Sequence, residues 1–231
     1  MSQQLTLNVG RRDGFRFSSF FVTPDNAELL GILKNGFEAH FPQIFLWGDA
    51  QVGKSHLLQA YCHHYYQRGL MAAYLPLSTC AQYGTRMLVG LEAKQLVVID
   101  DLDSIIGKRD WEEALMHVIN TSRANQQPLM LAARTNPREM PCVLADFASR
   151  LLWGPVHRVH SLDEAQRIQA MRWRAHQRGF DLPDQAVNYI IKHYSHDMGT
   201  LMMLLDRLDM ESLSKGRKVT RDLVRDALRT L

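Results

Sequence analysis

Eight consecutive residues, Gly48-Asp49-Ala50-Gln51-Val52-Gly53-Lys54-Ser55, fit the pattern G-x-x-x-x-G-K-[ST] at every fixed position. Glycines let the backbone wrap so that its amides point inward at phosphate oxygens. The lysine supplies charge to the β and γ oxygens, and the hydroxyl after it holds magnesium. Gly48, Ala50, Gln51, Val52, Gly53, Lys54, Ser55 and His56 are therefore the expected phosphate-cradling segment. The second half of such a site is an acidic residue at the end of another buried strand, and Leu96-Val97-Val98-Ile99-Asp100-Asp101 supplies it. Asp100 is expected to hold magnesium with Ser55, and Asp101 to orient or deprotonate a hydrolytic water. Taken alone, the acidic run also fits a strand that merely ends in a polar turn; the phosphate loop upstream favours the site.

Other reactive residues carry less. Cys62, Cys80 and Cys142 are far apart with no C-x-x-C spacing, which excludes a zinc knuckle or a disulfide framework and suits inert thiols in a reducing compartment. The adjacent pair His63-His64 points two ways on a helix and does not suit metal ligation. The 11 methionines are expected to fill core gaps. Arg172 and Arg174, two apart on a helix, share no face.

The elements that must position the site follow from hydrophobic pattern. Ile44–Trp47, Met71–Leu75, Leu96–Ile99 and Leu129–Ala133 are short apolar runs almost free of charge, as expected of strands buried on both faces. Lys54–Arg68 and Trp111–Ala124 are long enough to be crossover helices, so the pattern is that of an open parallel α/β sheet. After about residue 160 the strand-like runs stop. Ser161-Leu162-Asp163-Glu164 reads as a capping box, Pro183 as a first-turn residue, Leu201, Leu204, Leu205 and Leu208 as one helical stripe, and Thr220 as a further cap. The expected domains are a tail at 1–12, a nucleotide-binding α/β domain at 13–160 and an all-helical domain at 161–231.

The chain has 231 residues, 46 % of them apolar and 22 % charged, as in a globular protein. Its 27 basic and 24 acidic side chains give a net charge of +3, and no segment concentrates it: residues 1–160 carry 15 and 14, residues 161–231 carry 12 and 10. A dedicated duplex-DNA-binding domain needs a basic field, so a histone-like or basic-arm protein is excluded. The N-terminus lacks the apolar core of a signal peptide, and no apolar run approaches the roughly eighteen residues that span a bilayer. A cytoplasmic protein without a membrane role is expected.

A phosphate loop, an acidic strand end, a Ser149-Arg150 pair after a further helix and a small helical lid, in that order, resemble an AAA+ ATPase. More narrowly, Phe20–Asn26, the run Ile99-Asp-Asp-Leu-Asp-Ser-Ile105, the turn Asn125-Gln126-Gln127-Pro128 and the run Phe147-Ala-Ser-Arg-Leu-Leu-Trp-Gly154 are similar to the replication initiator DnaA, over about residues 15–231. The resemblance implies a P-loop AAA+ core with a parallel sheet, a helical lid, and ADP or ATP with Mg2+, ADP favoured. The chain ends where the initiator continues into its DNA-binding domain, so the resemblance points to the DnaA-related regulators that inactivate the initiator. It implies that Arg150 reaches a neighbouring subunit's ATP as a finger in trans. Residues 4–9, with Gln4, Leu5, Leu7 and Val9, are similar to the peptide by which bacterial proteins dock on the replicative sliding clamp. The same alternation of Leu5, Leu7 and Val9 is also what a first β-strand looks like.

Two departures from the family stand out. Gly199 occupies the position of the lid's nucleotide-sensing arginine, and Arg134-Thr135-Asn136 replaces the first sensor, with Thr135 or Asn136 as substitutes. Both weaken the case for intrinsic ATPase activity. The expected role is a negative regulator of replication initiation, with DnaA and the clamp as partners, DNA met mainly through the clamp, and a homo-oligomer compatible. The competing readings are an autonomous AAA+ ATPase, such as a helicase loader or remodelling motor, and a small-molecule kinase.

Overall fold

The computed structural model describes residues 15–194, 198–215 and 219–228. The clamp-like run at residues 4–9 lies outside them, as do residues 195–197 beside Gly199. Five parallel strands form one sheet in the order β2-β3-β4-β1-β5: β1 Gln43–Trp47, β2 Ala72–Pro76, β3 Leu96–Asp100, β4 Leu129–Ala133 and β5 Val156–Arg158. Helices α1 (Pro24–Asn35), α2 (Lys54–Gln67), α3 (Leu77–Cys80), α4 (Arg109–Ala124) and α5 (Ala145–Leu151) accompany it. The chain divides into two compact units between His160 and Ser161.

Strand side chains alternate between faces, and the sheet is apolar on both. Ile44, Leu46, Val98, Met130 and Ala132 pack on one side with Leu57, Leu58 and Tyr61 of α2 and Leu29, Leu30 and Leu33 of α1. Phe45, Val97, Ile99, Leu131 and Ala133 pack on the other with Trp111, Leu115 and Ile119 of α4 and Phe147 and Leu151 of α5. This is the two-sided burial expected of uncharged runs. The three-residue edge strand β5 is absent from the hydrophobic reading, because Val156, His157 and Arg158 are only half-buried or exposed and carry no apolar run. Strand β2 starts one residue later than expected, leaving Met71 half exposed.

Buried polar side chains fix the connections. Gln127 donates from Nε2 to the carbonyls of Leu91 and Lys94 at 2.7 and 2.6 Å and accepts from Ser122 Oγ at 2.9 Å, which locks the turn into β4. Glu112, fully buried, accepts the amides of Gly107, Val143 and Leu144 at 2.8–3.0 Å and so holds the start of α5 against α4. Asn26 closes a two-way bond with the backbone of His160, at 2.9 and 3.2 Å.

The second unit is α6 (Glu164–Gln177), α7 (Asp184–His193), α8 (Met198–Lys215) and α9 (Arg221–Leu228). Leu201, Leu204, Leu205 and Leu208 are fully buried against Val187, Ile190 and Val224. The cap of α6 differs from expectation. Asp163 accepts the Gln166 amide at 2.7 Å while Gln166 Oε1 accepts the Asp163 amide at 3.0 Å, so the box runs Asp163–Gln166 rather than Ser161–Glu164. A carboxylate there also meets the positive end of the helix dipole. Helix α7 follows Pro183 as expected, with the proline at its N-cap. Thr220 caps α9 by accepting the Leu223 amide at 3.3 Å.

Gly154 follows α5 where the chain turns into β5, and a Cβ on it would stand 1.9 Å from the Gln43 carbonyl oxygen. That clash is with backbone and cannot be relieved by a rotamer. Gly154→Ala is expected to cost about 3 kcal/mol, at the upper end of overpacking changes, read as a lowered urea midpoint at unchanged slope.

Candidate nucleotide-binding site

All five strands end at one edge of a parallel sheet, and ligands of open α/β sheets sit at that carboxyl edge. The loop after β1 and the first turn of α2 form the site. Gly48 has φ +149°, and a Cβ there would be 2.4 Å from the Val159 carbonyl oxygen, so only glycine lets the loop start this close to β5. Gln51 adopts the left-handed region at φ +64°, a strained turn that carries the chain back over itself. Asp49, Ala50 and Gln51 are exposed, Val52 and Gly53 half-buried, and Lys54 buried.

Lys54 donates from Nζ to the carbonyls of Gly48 and Asp49, both at 2.7 Å. Burial pulls its pKa down, an effect opposed by the negative charges of Asp100, Asp103 and Asp101 and reinforced by Arg134. An ammonium whose hydrogen bonds run only to neutral carbonyls, inside a loop opening a helix, is suited to an anion.

Asp100, at the end of β3, is 1 % exposed. Its Oδ1 accepts the Asp101 amide at 2.9 Å, its Oδ2 accepts the Tyr74 hydroxyl at 2.7 Å, and the Ser55 hydroxyl stands beside it. Burial raises its pKa, and the Ser55 and Tyr74 hydrogen bonds oppose the rise. Ser55 and Asp100, expected from separate stretches, are thus in contact. A hard divalent cation takes oxygen ligands of this kind, so the pair fits Mg2+ held between protein and phosphates.

The remaining expected residues are placed differently from one another. Asp101 has φ +56°, and its carboxylate accepts from Ser78 Oγ at 2.5 Å. The ring of His56 packs against Phe15 and Phe20, with Nε2 3.2 Å from Ser19 Oγ and 3.0 Å from the Arg16 carbonyl. It fastens the segment before α1 to α2. Of the first-sensor candidates, Asn136 accepts the Arg138 amide at 3.1 Å as a local cap, and the Thr135 amide is bound by Asp103.

Asp103 and Tyr74 are site residues that the sequence reading missed. Asp103 takes the amides of Arg134 and Thr135 at 2.6 and 3.2 Å, tying the turn after β3 to the end of β4. Its signal was present within Ile99–Ile105, but nothing local shows which strand it bonds. Arg134 itself leaves β4 beside Gly48, since Ala133 is paired with Trp47.

Arg150 lies at the opposite edge. Its carbonyl accepts from Gln43 Nε2 at 3.0 Å, at the start of β1, about 16 Å along the strand from Gly48 at 3.3 Å per residue. The guanidinium donates to Asn120 Oδ1 and Met116 Sδ, both at 2.8 Å, lies 3.6 Å from Asp146 and 5.4 Å from the Trp153 ring, and is 19 % exposed. Trp153 also carries Arg123 at 4.3 Å. Among the described residues no cluster of His, Cys, Asp or Glu suits a metal ion on its own, and no helix is long and apolar enough to cross a membrane.

A family model described as Hda, lid domain, matches residues 163–228. An uncharacterized protein of Haemophilus influenzae is 35 % identical over 229 residues, covering 99 % of each chain. Domain III of the Thermotoga maritima replication initiation protein DnaA superposes with a TM-score of 0.75 at 20 % identity, covering 94 % of this chain and 97 % of that one. AMPPCP-bound DnaA from Aquifex aeolicus gives 0.72 at 19 %, covering 87 % and 67 %. With a parallel P-loop core and the matching lid, the chain belongs to the Hda-like family of DnaA-related AAA+ nucleotide-binding proteins.

Proposed function

We propose that this protein is a negative regulator of replication initiation, which binds an adenine nucleotide at its own loop and promotes hydrolysis of ATP on DnaA by supplying Arg150 in trans. The observation that carries the reading is the placement of Arg150 at the sheet edge opposite the phosphate loop. A side chain on α5 cannot serve a nucleotide about 16 Å away along β1. It lies on that edge beside the half-exposed Leu152 and Trp153, and in this reading it leaves Asn120 and Met116 for the partner's nucleotide when DnaA docks there. A guanidinium placed on a transferring phosphoryl group stabilises charge that builds only in the transition state, and one supplied in trans is worth about a thousandfold or more.

At this chain's own loop, Lys54 and the loop amides would hold the phosphates, and Ser55 with Asp100 would hold Mg2+, which neutralises phosphate charge when bound. Gly199 brings no charge to the lid, so a diphosphate loses less than a triphosphate there, and ADP is the favoured ligand. In this reading, the nucleotide shapes the docking surface rather than being turned over. Gln4, Leu5, Leu7 and Val9 tether the protein to the sliding clamp, DNA is met through the clamp, and the work is done in the cytoplasm. A self-association of the same kind, with Arg150 directed at a second copy, is an alternative use of that edge.

Three measurements check this. Phosphate release from ATP-bound DnaA, with clamp on DNA, is expected to fall about a thousandfold in its stimulated part for Arg150→Ala; equal stimulation by both proteins would sink the mechanism. Gln4→Ala combined with Leu5→Ala is expected to abolish retention on immobilised clamp, and undiminished retention removes the tether. ADP is expected to raise the melting midpoint of the wild type but not of Lys54→Ala, since only a ligand that prefers the folded state stabilises it. ATP turnover by the protein alone, lost in Lys54→Ala, would favour an autonomous motor instead.

A further inference from the structure

Tyr74 enters the site from a strand that carries no part of the phosphate motif. In the β2–β3 ladder Tyr74 is paired with Val98 and Pro76 with Asp100, so Tyr74 and Asp100 are diagonal neighbours on one face of the sheet. The Tyr74 hydroxyl donates to Asp100 Oδ2 at 2.7 Å. Its own oxygen accepts from Gln59 Nε2 at 3.4 Å. Gln59 is one turn beyond Ser55 on α2, so the two project from the same helix face toward the same pair of strands. A hydroxyl has one proton, and with an amide donor on its oxygen that proton is directed at Asp100.

Asp100 thereby has one oxygen taken by the Asp101 amide and the other by Tyr74, with the Ser55 hydroxyl beside it. The Ser55 hydroxyl stands beside both the Asp100 carboxylate and the Tyr74 hydroxyl, so a carboxylate that cannot rotate keeps the two oxygens a hard cation would take, from Asp100 and Ser55, in one arrangement. A carboxylate held by one donor fewer is free to swing about its Cα–Cβ bond and carry Ser55 with it.

We propose that Tyr74, steadied by Gln59, is the positioning residue of the cation half of this site: it fixes Asp100, and through Asp100 the Ser55 oxygen, in the arrangement that accepts Mg2+ alongside the nucleotide phosphates. Tyr74 acts in this proposal through Asp100. The inference rests on the nucleotide-binding reading of the loop and adds a residue to it. Partners that orient metal ligands are worth about 10- to 100-fold in metal affinity.

The test uses the full-length protein and a fluorescent ADP analogue, titrated in the presence of a chelator and again across a Mg2+ series. The wild type is expected to bind more tightly with Mg2+. Tyr74→Phe keeps the ring and removes the hydroxyl; the Mg2+ concentration for half-maximal tightening is expected to rise about tenfold while the affinity in chelator stays unchanged. Gln59→Ala is expected to move the same quantity in the same direction by a smaller factor, and it tests the idea even if Tyr74→Phe folds poorly. An unchanged Mg2+ dependence in both variants overturns the assignment. An equal loss with and without Mg2+ overturns it too, because the tyrosine then supports the loop as a whole. A wild type that binds the analogue with no Mg2+ dependence removes the cation role, whereas a wild type that does not bind the analogue at all refutes the nucleotide reading itself.

Discussion

Two opposite charges, Lys54 and Asp100, are buried at the carboxyl edge of the sheet, and much of the surrounding structure can be understood as what their burial requires. Moving an ion out of water costs several kcal/mol even after the protein relaxes, unless hydrogen bonds and an opposite charge compensate it. Lys54, in the first turn of α2, feels the negative charge of Asp100 at the end of β3, while the hydrogen bonds of each ion run to its own surroundings. Lys54 takes two carbonyls from its loop, which forces the loop to wrap tightly and uses the conformations of Gly48 and Gln51. Asp100 takes an amide from its own turn and hydroxyls from α2 and β2. The arrangement leaves a cation at the mouth of a helix N-terminus and a carboxylate behind it, which is the charge distribution that a metal–phosphate ligand completes.

The parallel sheet then separates two groups of residues by its direction. Every strand delivers its last residue to the same edge, where the loop, Asp100, Asp103 and Arg134 converge. The opposite edge receives Gln43, Pro42, Leu129 and Trp153, and with them the helix that carries Arg150. Glu112 sets that helix by binding the amides at its start, and Gly154 permits the close return into β5. The Arg150 guanidinium is fixed there by Asn120, Met116 and Trp153.

Hydrophobic pattern revealed the four long strands because they lack polar interruption: β1, β3 and β4 are buried along almost their whole length, and β2, at the sheet edge, is apolar but half-buried. The same criterion misses β5, which is short, at the edge and half polar, and is held by its backbone pairing to β1 instead. At the start of α6, two overlapping boxes were available, Ser161–Glu164 and Asp163–Gln166. Sequence offers no way to choose between them, because both pairs have the residue types and the spacing of a box. His56 adjoins the phosphate motif in sequence, but its ring is claimed by Phe15, Phe20 and Ser19.

The sequence by itself determined the phosphate loop, the acidic strand end, the α/β alternation and the helical stripe of Leu201, Leu204, Leu205 and Leu208. Each of these is a local pattern, in which residues close in the chain create the conformation or the amphipathic face. What only the tertiary structure decided is who meets Asp100, Asp103 and Arg150. Tyr74 reaches Asp100 through the register of β2 on β3, Asp103 reaches β4 across a turn, and Arg150 is carried to the far edge by α5. These are contacts between distant stretches, fixed by strand order and side-chain packing, and no spacing along the chain encodes them.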